Sequence, residues 1–582
     1  MADLLLPRPA SQPTAGALDD RFWDVVEADF RRMVATHPIY ATYLGIHDGD
    51  DRLDDASRDA VEEDIAQAHR LETEIEAIDP AGLSESVRLE RELAIHNLRK
   101  ELFDLEVHRV WERRSTAMDQ IGDGLFSIFA RDYAPLAERL AALTSRLEAV
   151  PVALEQHKTR ATAPQVRLWQ ELEIEAGEQM PFLFAEIKAA GTGVLDDRAQ
   201  ARLDRAVTTA AEAASAYVES LKGAMGSTVE SWALGSEAYD QLVGLRAFDG
   251  LDASQILEIG HEQLALNKAA RVADAHRIDP NVAESVVVDR VKSNHPATFA
   301  EALASYKDAM LRARAHIVEH EIATMPPGEQ ISVIATPEYL RTVIPFAAYF
   351  EPPKFDRHPS GIYIVTPSVG DDPNAMREHN YASISNTSVH EAYPGHHLQL
   401  SAAIRHPSLV RLLTDAPEFV EGWGMYSEQM MREQGFDAGP EFLLAMHTDA
   451  IWRACRIILD VRMHRGELTV DEATAFLVEH TAFERANAQA EVFRYTYTPT
   501  YQLSYLLGKV LLLQLRADEQ RRLGDRFSLK AFHDTLLRNG SLPISFHRRL
   551  LAAEAANGSG SGHVAGSGHA ADQSAGAAAA NR

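Results

Sequence analysis

The segment SVHEAYPGHHLQL places histidines and a glutamate at a spacing that suggests metal chemistry. His390 and Glu391 begin the pattern H-E-x-x-H, in which two histidines one helical turn apart bind zinc and the glutamate moves a proton. Pro394 stands where the second histidine of that pattern should be, and histidines follow only at positions 396 and 397. The segment therefore indicates either a metal site on an interrupted helix or a chance cluster of histidines.

The Pro394-Gly395 pair decides which histidine could join His390. Successive residues of a helix turn by about 100°, so on a straight helix His396 faces away from His390, and His397 lies on the same face but about 10.5 Å further along. Proline cannot donate a backbone hydrogen bond and glycine accepts unusual conformations, so we expect a bulge or kink here. A bulge that absorbs two residues would make His396 the second ligand, whereas His397 would require three. We predict His390 and His396 as ligands, with His397 as the alternative.

A zinc site in a hydrolase also needs a base and a third protein ligand. Glu391, next to the first histidine, is placed to take a proton from the attacking water. In EFVEGWGMYSEQM we choose Glu421 as the third ligand, because the small residue after it lets a neighbouring helix approach closely. Glu428 lies two turns further on the same face of that predicted helix. The candidate N-caps of the helix that carries the first histidine are Ser385, Asn386 and Thr387.

Two imidazoles and one carboxylate suit zinc best, so we expect one Zn²⁺ per chain, although cobalt or manganese could use the same ligands. The alternative reading of the spacing is structural. In that reading His390 caps or packs within a helix, and the two later histidines form a solvated turn after Pro394-Gly395.

Several segments of the chain together resemble one bacterial protein family. HEAYPGHHLQL, EGWGMYSEQM, RACRIILDVRMH and FHDTLLRNGSLP closely resemble the family called domain of unknown function 885, and ATYLGIHDGDDRLDD is similar to its opening segment. The resemblance spans nearly the whole folded chain. It implies a mainly α, zincin-like metallopeptidase fold with a small β-sheet beside a deep active-site cleft, and it implies no particular substrate.

A more distant similarity concerns the two segments that would face the metal. GHHLQL resembles the G-H-x-L segment of carboxypeptidase Taq-like and dipeptidyl peptidase III-like enzymes, which favours His396 over His397. YTYTPTYQLSYLLG is similar to a tyrosine-rich segment of the Taq-like group, in which phenols near the metal assist catalysis. The closer family implies P-G-Q-A-L-S-Y at this place, and the residues that depart from it are Thr500, Tyr501 and Gln502.

This departure leaves open which of Tyr497, Tyr501 and Tyr505 faces the substrate. A tetrahedral intermediate develops negative charge on oxygen, which a fixed phenol or guanidinium can stabilise. Our candidates for that role are Arg494, Tyr497 and Tyr505. For each tyrosine the alternative is a half-buried core residue whose hydroxyl is hydrogen-bonded.

The remaining sequence predicts the elements that hold these residues. Helical periodicity dominates from about Asp20 to Leu266 and returns after Ser383, whereas the β-branched, proline-rich tract 331–367 predicts two or three short strands. The C-terminal segment consists mainly of Gly, Ser and Ala and has too few large apolar side chains to fold. We divide the chain into an N-terminal extension (1–19), a helical N-terminal region (20–270), a catalytic region with short strands and metal-site helices (271–555) and a disordered tail (556–582).

Composition limits the class of protein. The chain has 582 residues, of which 46% are hydrophobic and 25% charged, as is usual for a soluble globular enzyme. A net charge of −29 argues against nucleic-acid or anionic-membrane partners. No run reaches the roughly 20 apolar residues of a membrane span. A single cysteine, Cys455, and the short apolar run in MADLLLPRPASQPT lead us to expect a cytoplasmic protein.

The leading hypothesis is a zinc-dependent hydrolase, specifically a peptidase that acts on short peptides with Glu391 as general base. One alternative is a metal-dependent amidase for a non-peptide or conjugated amino-acid substrate. Another is a non-catalytic binding protein that the metal only supports, although an adjacent base such as Glu391 argues against it. A small peptide or amide is the expected partner, and the oligomeric state is left open.

Overall fold

The computed structural model describes residues 16–558, apart from 338–340, 342–343, 345–346, 368–375 and 482. Residues 1–15 of the predicted N-terminal extension lie outside this part of the chain. So do residues 559–582 of the tail that the sequence predicts to be disordered.

Helices dominate the first half of the chain, as its apolar periodicity predicts. Side-chain caps define the starts of several of these helices. The side chain of Asp252 accepts hydrogen bonds from two backbone amides of the helix that follows it, and the side chain of Thr298 accepts one from the backbone amide of Glu301. These helices are α1 (Ala17–Thr36), α2 (Pro38–Tyr43), α3 (Arg58–Glu76), α4 (Glu85–Phe103), α5 (Val110–Arg113), α6 (Ala117–Phe129), α7 (Leu136–Arg160), α8 (Arg167–Ala190), α9 (Asp197–Ala224), α10 (Ser236–Arg246), α11 (Ala253–Ile278), α12 (Glu284–Lys292) and α13 (Phe299–Glu319).

A small sheet follows where the sequence turns β-branched and aromatic. Its strands are β1 (Ile331–Ala335), β2 (Ala347–Phe350) and β3 (Gly361–Val365), in the order β1-β3-β2. β3 pairs parallel with β1 and antiparallel with β2, and its residues are all buried. The sheet confirms the prediction of two or three short strands in this tract.

Helices return for the rest of the described chain. They carry the predicted site residues other than Tyr497, which lies between two helices. Their bounds are α14 (Tyr381–Glu391), α15 (His396–Ala403), α16 (Leu409–Leu413), α17 (Pro417–Glu433), α18 (Pro440–His464), α19 (Val470–Thr481), α20 (Arg485–Tyr495), α21 (Ser504–Leu523), α22 (Leu529–Asn539) and α23 (Ile544–Gly558).

The largest hydrophobic core surrounds the central helices α17, α18 and α21, and residues of α10, α11 and α13 belong to it. Helix α11 packs along α18, and at Gly260 an added Cβ would lie 2.9 Å from a methyl group of Ile457. The boundary drawn from the sequence at residue 270 falls inside α11. The N-terminal and catalytic regions therefore share this core.

Two further large cores stabilise the described chain, and a small cluster of Ala275, Val287 and Leu444 lies apart from them. One joins α1, α3 and α4 to Leu409, Val410, Leu542 and Phe546 of the C-terminal half. The other lies within α6 to α9. The fold is thus mainly helical with a small three-stranded sheet.

Within the described residues, no helix combines the length and the apolarity needed to cross a membrane.

Candidate metal centre

Helix α14 carries the first histidine of the motif and begins earlier than the sequence suggested. Its N-cap is Asn380, whose side chain accepts a hydrogen bond from the backbone amide of Ser383. The predicted caps Ser385, Asn386 and Thr387 are therefore wrong, because all three lie inside the helix. Asn386 instead uses its side-chain amide within the site, as described below.

The chain breaks between α14 and α15 at Pro394-Gly395. The amide of Ala392 bonds to the carbonyl of Ser388, and the amide of Gly395 reaches back to the carbonyl of Val389 over 3.0 Å, closing a wider loop than a helical turn. A Cβ on Gly395 would lie 1.8 Å from the carbonyl oxygen of His390, so only glycine fits this turn. The predicted bulge or kink is thus a complete break that starts a new helix at His396.

This break brings together His390, His396 and Glu421, the three predicted ligands. One nitrogen from each histidine and one carboxylate oxygen all lie within 4.8 Å of one another. The Nε2 atoms of His390 and His396 lie 3.5 and 3.4 Å from the same oxygen, Oε2 of Glu421. The two rings are perpendicular, with centroids 4.7 Å apart.

The spacing and charge of these three groups fit zinc. Two ligand atoms at about 2.1 Å from zinc and at tetrahedral angles lie about 3.4 Å apart, close to both nitrogen–oxygen separations. Burial opposes a charge on His390, but contacts with Glu421 and Glu428 outweigh it and raise the pKa of His390 to about 10. Burial likewise opposes a charge on Glu421, but His390 and His396 hold its pKa well below the usual range. The cluster therefore favours positive charge at its centre, as a divalent cation would supply.

His397, the alternative ligand, faces a different set of partners. It is fully buried, its Nδ1 lies 2.8 Å from the hydroxyl of Tyr349 on β2, and its Nε2 lies 3.3 Å from a carboxylate oxygen of Glu329. Its two nitrogens are thus occupied away from Glu421. Of the two adjacent histidines, only His396 belongs to the three-residue cluster.

Glu428 positions the imidazole of His390. Its Oε1 lies 2.7 Å from Nδ1 of His390, which leaves Nε2 directed at Glu421. The side-chain amide of Asn386 donates to Oε2 of Glu428 at 2.9 Å and to Asp449 at 2.8 Å. A carboxylate on the outer nitrogen of a metal-binding histidine fixes the ring and makes it more basic. Glu428 is therefore placed to orient His390, whereas Glu421 is placed to bind a metal ion together with the two histidines.

Glycines on α17 and α21 allow the close packing that delivers Glu421. An added Cβ on Gly424 would lie 2.7 Å from the imidazole of His390. An added Cβ on Gly508 would lie 2.8 Å from the Cα of Gly422, the small residue after Glu421. The two helices therefore cross with their backbones nearly touching, beside the ligand.

Glu391, the predicted base, lies partly buried at the end of α14. Burial raises its pKa, an effect that the nearby imidazoles of His390 and His396 partly offset. Its carboxylate has no hydrogen bond or ion pair to any residue within the described ranges. The group is thus close to both histidines and free to accept a proton.

Tyr501 is the phenol that the structure places at the ligands. Its hydroxyl donates to Oε1 of Glu421 over 2.9 Å, and the charge of Glu421, followed by burial, raises its pKa well above the usual range. The segment before it is anchored because the backbone amide of Thr500 donates to Asp460. This residue was left open by the sequence and was not among our first candidates.

The three predicted oxyanion donors lie further from the cluster. The ring of Tyr497 packs against the guanidinium of Arg114, and Arg494 pairs with Glu491 at 2.9 Å. Within the described chain, neither has a hydrogen bond or an ion pair with the three predicted ligands. Tyr505 lies behind Tyr501, with ring centroids 5.9 Å apart, and Glu421 contributes to its raised pKa after burial. The structure therefore brings Tyr505 near the cluster but not Tyr497 or Arg494.

A sequence model of the family described as bacterial proteins of unknown function, DUF885, matches residues 38–551. That match includes every residue of the cluster. The chain belongs to the DUF885 family. The resemblance predicted from the sequence is therefore confirmed, while the relationship to zincins stays a prediction.

Two solved structures share the fold of this DUF885 chain. One, from Shewanella oneidensis and provisionally described as a lipoprotein of unknown function, is 22% identical with a TM-score of 0.75, over 91% of this chain and 99% of its own. The other, from Colwellia psychrerythraea and also provisionally described as a lipoprotein, is 18% identical with a TM-score of 0.79, over 93% and 99%. No curated protein matches the sequence significantly. The cytoplasmic location of the DUF885 chain stays a prediction.

The roles of two residues of the DUF885 site were missed by the sequence-based interpretation although a signal was present. Asn386 lies one turn before His390, and Glu428 lies two turns after Glu421, so each shares a face with a ligand. Arg456 and Asp460 lie one turn apart on α18, a spacing typical of a helical ion pair, yet each binds other residues. Arg456 pairs with Glu491, and the partners of Asp460 are Tyr239 and the amide of Thr500.

Proposed function

We propose that this protein is a zinc-dependent hydrolase that cleaves short peptides. The observation that carries the proposal is the arrangement of His390, His396 and Glu421, whose two nitrogen–oxygen separations of 3.5 and 3.4 Å match a tetrahedral zinc site. A purely structural site would use a fourth protein ligand, whereas the cluster in the described residues has three. Three protein ligands are typical of catalytic zinc, which keeps one position for water or substrate.

Zinc held by these residues would polarise the scissile carbonyl and lower the pKa of a water molecule. The chain's own groups supply the remaining steps. The Glu391 carboxylate accepts a proton from the attacking water and delivers it to the leaving nitrogen. Its pKa, raised by burial, makes the carboxylate a better proton acceptor than an exposed glutamate.

Glu428 and Tyr501 position the groups that touch the ion. Glu428 holds Nδ1 of His390, and the hydroxyl of Tyr501 holds Oε1 of Glu421. Because the hydroxyl of Tyr501 contacts one of the three proposed ligands, we assign it the oxyanion role first given to Arg494, Tyr497 and Tyr505.

Burial of the ligands supports a small substrate. His390 and His396 are only 6% and 8% exposed, so the surface of a folded protein could not reach them. A flexible peptide of a few residues, entering a cleft walled by the N-terminal helices, fits this limit. The zincin-like fold and the deep cleft are part of this proposal.

The test is hydrolysis of a mixed library of short peptides by protein purified without chelators and supplied with zinc, followed by mass spectrometry. Glu391→Gln should lower the rate by about 10²- to 10⁴-fold, the usual contribution of a general base, and should retain about one zinc per chain. The control is Glu258→Gln, at an exposed position of α11, which should leave rate and zinc unchanged.

Two outcomes would count against the proposal. A wild-type protein that binds zinc and cleaves no peptide in the library would not be a peptidase. A Glu391→Gln variant as active as the wild type would show that another group moves the proton.

A further inference from the structure

A cavity of about 360 Å³ lies between α11, α17, α18 and α21 and contains none of the residues of the metal cluster. Cavities of this size hold small organic molecules. Its lining combines one cation with neutral polar and apolar side chains. The residues on which the argument rests are Gln263, Leu266, His447, Lys509 and Leu513.

Lys509 is the unusual member of this lining. It is only 5% exposed, and its ammonium group has no hydrogen bond or ion pair to any residue in the described part of the chain. Burial lowers its pKa, and the distant carboxylates of Glu428 and Glu433 only partly oppose this. A buried ammonium without a partner is unfavourable, so an anion in the cavity would be strongly favoured as its partner.

A second donor faces the same cavity from α18. Nδ1 of His447 carries a proton that it donates to a carboxylate oxygen of the fully buried Asp274 at 2.6 Å, which fixes the ring. Nε2 has no partner among the described residues and donates to a ligand carboxylate when the ring is doubly protonated, a form that Asp274 stabilises. Gln263, whose side chain carries an amide, also lines the cavity. These groups can bind one carboxylate through the ammonium, the imidazole and the amide.

Part of the lining is apolar. Leu266 is 53% exposed and borders the cavity, and Leu513 lies beside it on α21. One ammonium, with Glu433 and Glu428 in the surroundings, suits a single negative charge and disfavours a dianion.

We propose that this cavity binds a small monocarboxylate with a short branched hydrocarbon chain. The carboxylate lies on Lys509 and His447, and the hydrocarbon covers Leu266 and Leu513. The site is separate from the proposed hydrolytic centre and does not depend on it.

The experiment titrates full-length protein with 4-methylvalerate and, as the uncharged control, 4-methylvaleramide, by isothermal titration calorimetry. Because carboxylates also bind zinc, each titration is run with and without added zinc. The acid should bind at least about tenfold more tightly than the amide, since charge-assisted hydrogen bonds distinguish them. This preference should be the same in both conditions.

Matched variants assign the binding to the cavity. Lys509→Met should weaken binding of the acid about tenfold, and Lys509→Arg should keep most of it. Lys307→Met, at an exposed position of α13, should change nothing. Leu266→Asp places a negative charge at the border of the cavity and should weaken binding of the acid more than that of the amide.

Three results would overturn the proposal: no saturable binding of the acid, equal binding of acid and amide, or unchanged binding in Lys509→Met. If Lys509→Met does not fold, Leu266→Asp decides, because Leu266 is exposed and tolerates substitution. Unchanged affinity for the acid in that variant would equally overturn the proposal.

Discussion

His396 and His397 are adjacent in the sequence, yet the chain uses them for different purposes. His396 directs Nε2 at Glu421, while His397 links Glu329 to the sheet through Tyr349. Successive residues of a helix point about 100° apart, so two neighbours cannot reach the same ion. The pair therefore offers a matched comparison for the metal site.

We predict that His390→Ala and His396→Ala each lose zinc, while His397→Ala retains about one zinc per chain. The measurement is elemental mass spectrometry of protein purified without chelators and then dialysed against zinc. His397→Ala should lower the thermal unfolding temperature, because it removes a buried side chain that contacts both Glu329 and Tyr349. Loss of zinc from His397→Ala alone would transfer the ligand role to His397.

Tyr501 and Tyr497 form a second comparison, since only Tyr501 touches a ligand residue. We predict that Tyr501→Phe weakens zinc binding about tenfold, because groups that orient a metal ligand contribute about 10- to 100-fold to affinity. Tyr497→Phe should bind zinc like the wild type. Competition with a chromophoric chelator measures both affinities, and equal values for the two variants would refute the assignment.

At the scale of elements, the site depends on how closely α17 approaches α21. Glycine at 422 and 508 removes the side chains that would separate the two helices, and the ligand Glu421 lies beside this crossing. An extra methyl group in so tight a contact forces the backbones apart. The crossing therefore determines the position of Glu421, the proposed third ligand.

We predict that Gly508→Ala destabilises the fold by about 1–3 kcal/mol and weakens zinc binding. Its Cβ would lie 2.0 Å from the carbonyl oxygen of Glu418, and relief of this clash must move α17. The control is Gly244→Ala on α10, where an added Cβ meets nothing within 4 Å and should be neutral or slightly stabilising. Thermal unfolding with and without zinc makes the comparison, and identical behaviour of the two variants would contradict it.

At the scale of the whole molecule, the N-terminal helices are attached to the C-terminal half by a buried ion pair. Nε of Arg411 on α16 donates to Oε1 of Glu90 on α4 at 2.7 Å, and Ser408 donates to the other oxygen at 2.6 Å. Both charged side chains are almost fully buried, at 7% and 3% exposure. Removal of one partner would leave an uncompensated charge in the interior.

We predict that Glu90→Gln destabilises the protein by about 3–5 kcal/mol, the usual cost of breaking a buried pair. The control is Glu92→Gln, on the same helix as Glu90, which breaks an exposed pair with Arg549 of α23. This substitution should destabilise the protein by less than about 1 kcal/mol. Thermal unfolding of both variants tests this, with limited proteolysis to show whether the N-terminal helices detach. A similar loss of stability in both variants would mean that the buried pair stabilises the protein no more than the exposed pair does.

Those parts of the candidate site that depend on the spacing of neighbouring residues could be predicted from the sequence. The break at Pro394-Gly395 and the roles of His390 and His396 follow from helical geometry and from what proline and glycine permit. The choice of Glu421 rested on the small residue after it, and the close crossing at Gly422 agrees with that reason. The alternation of helical tracts with one β-branched tract was likewise sufficient to predict a mainly helical fold with a small sheet.

The tertiary structure alone decided which distant groups meet. Tyr501 and Glu421 are 80 positions apart, and no periodicity relates residues on separate helices. The same is true of Glu428 and His390, whose contact depends on the angle at which α14 crosses α17. Local sequence determines the conformation and the faces of each helix, whereas the packing of all side chains in the core determines which faces meet. For that reason the sequence could predict the cluster of His390, His396 and Glu421 but not which of the three tyrosines contacts it.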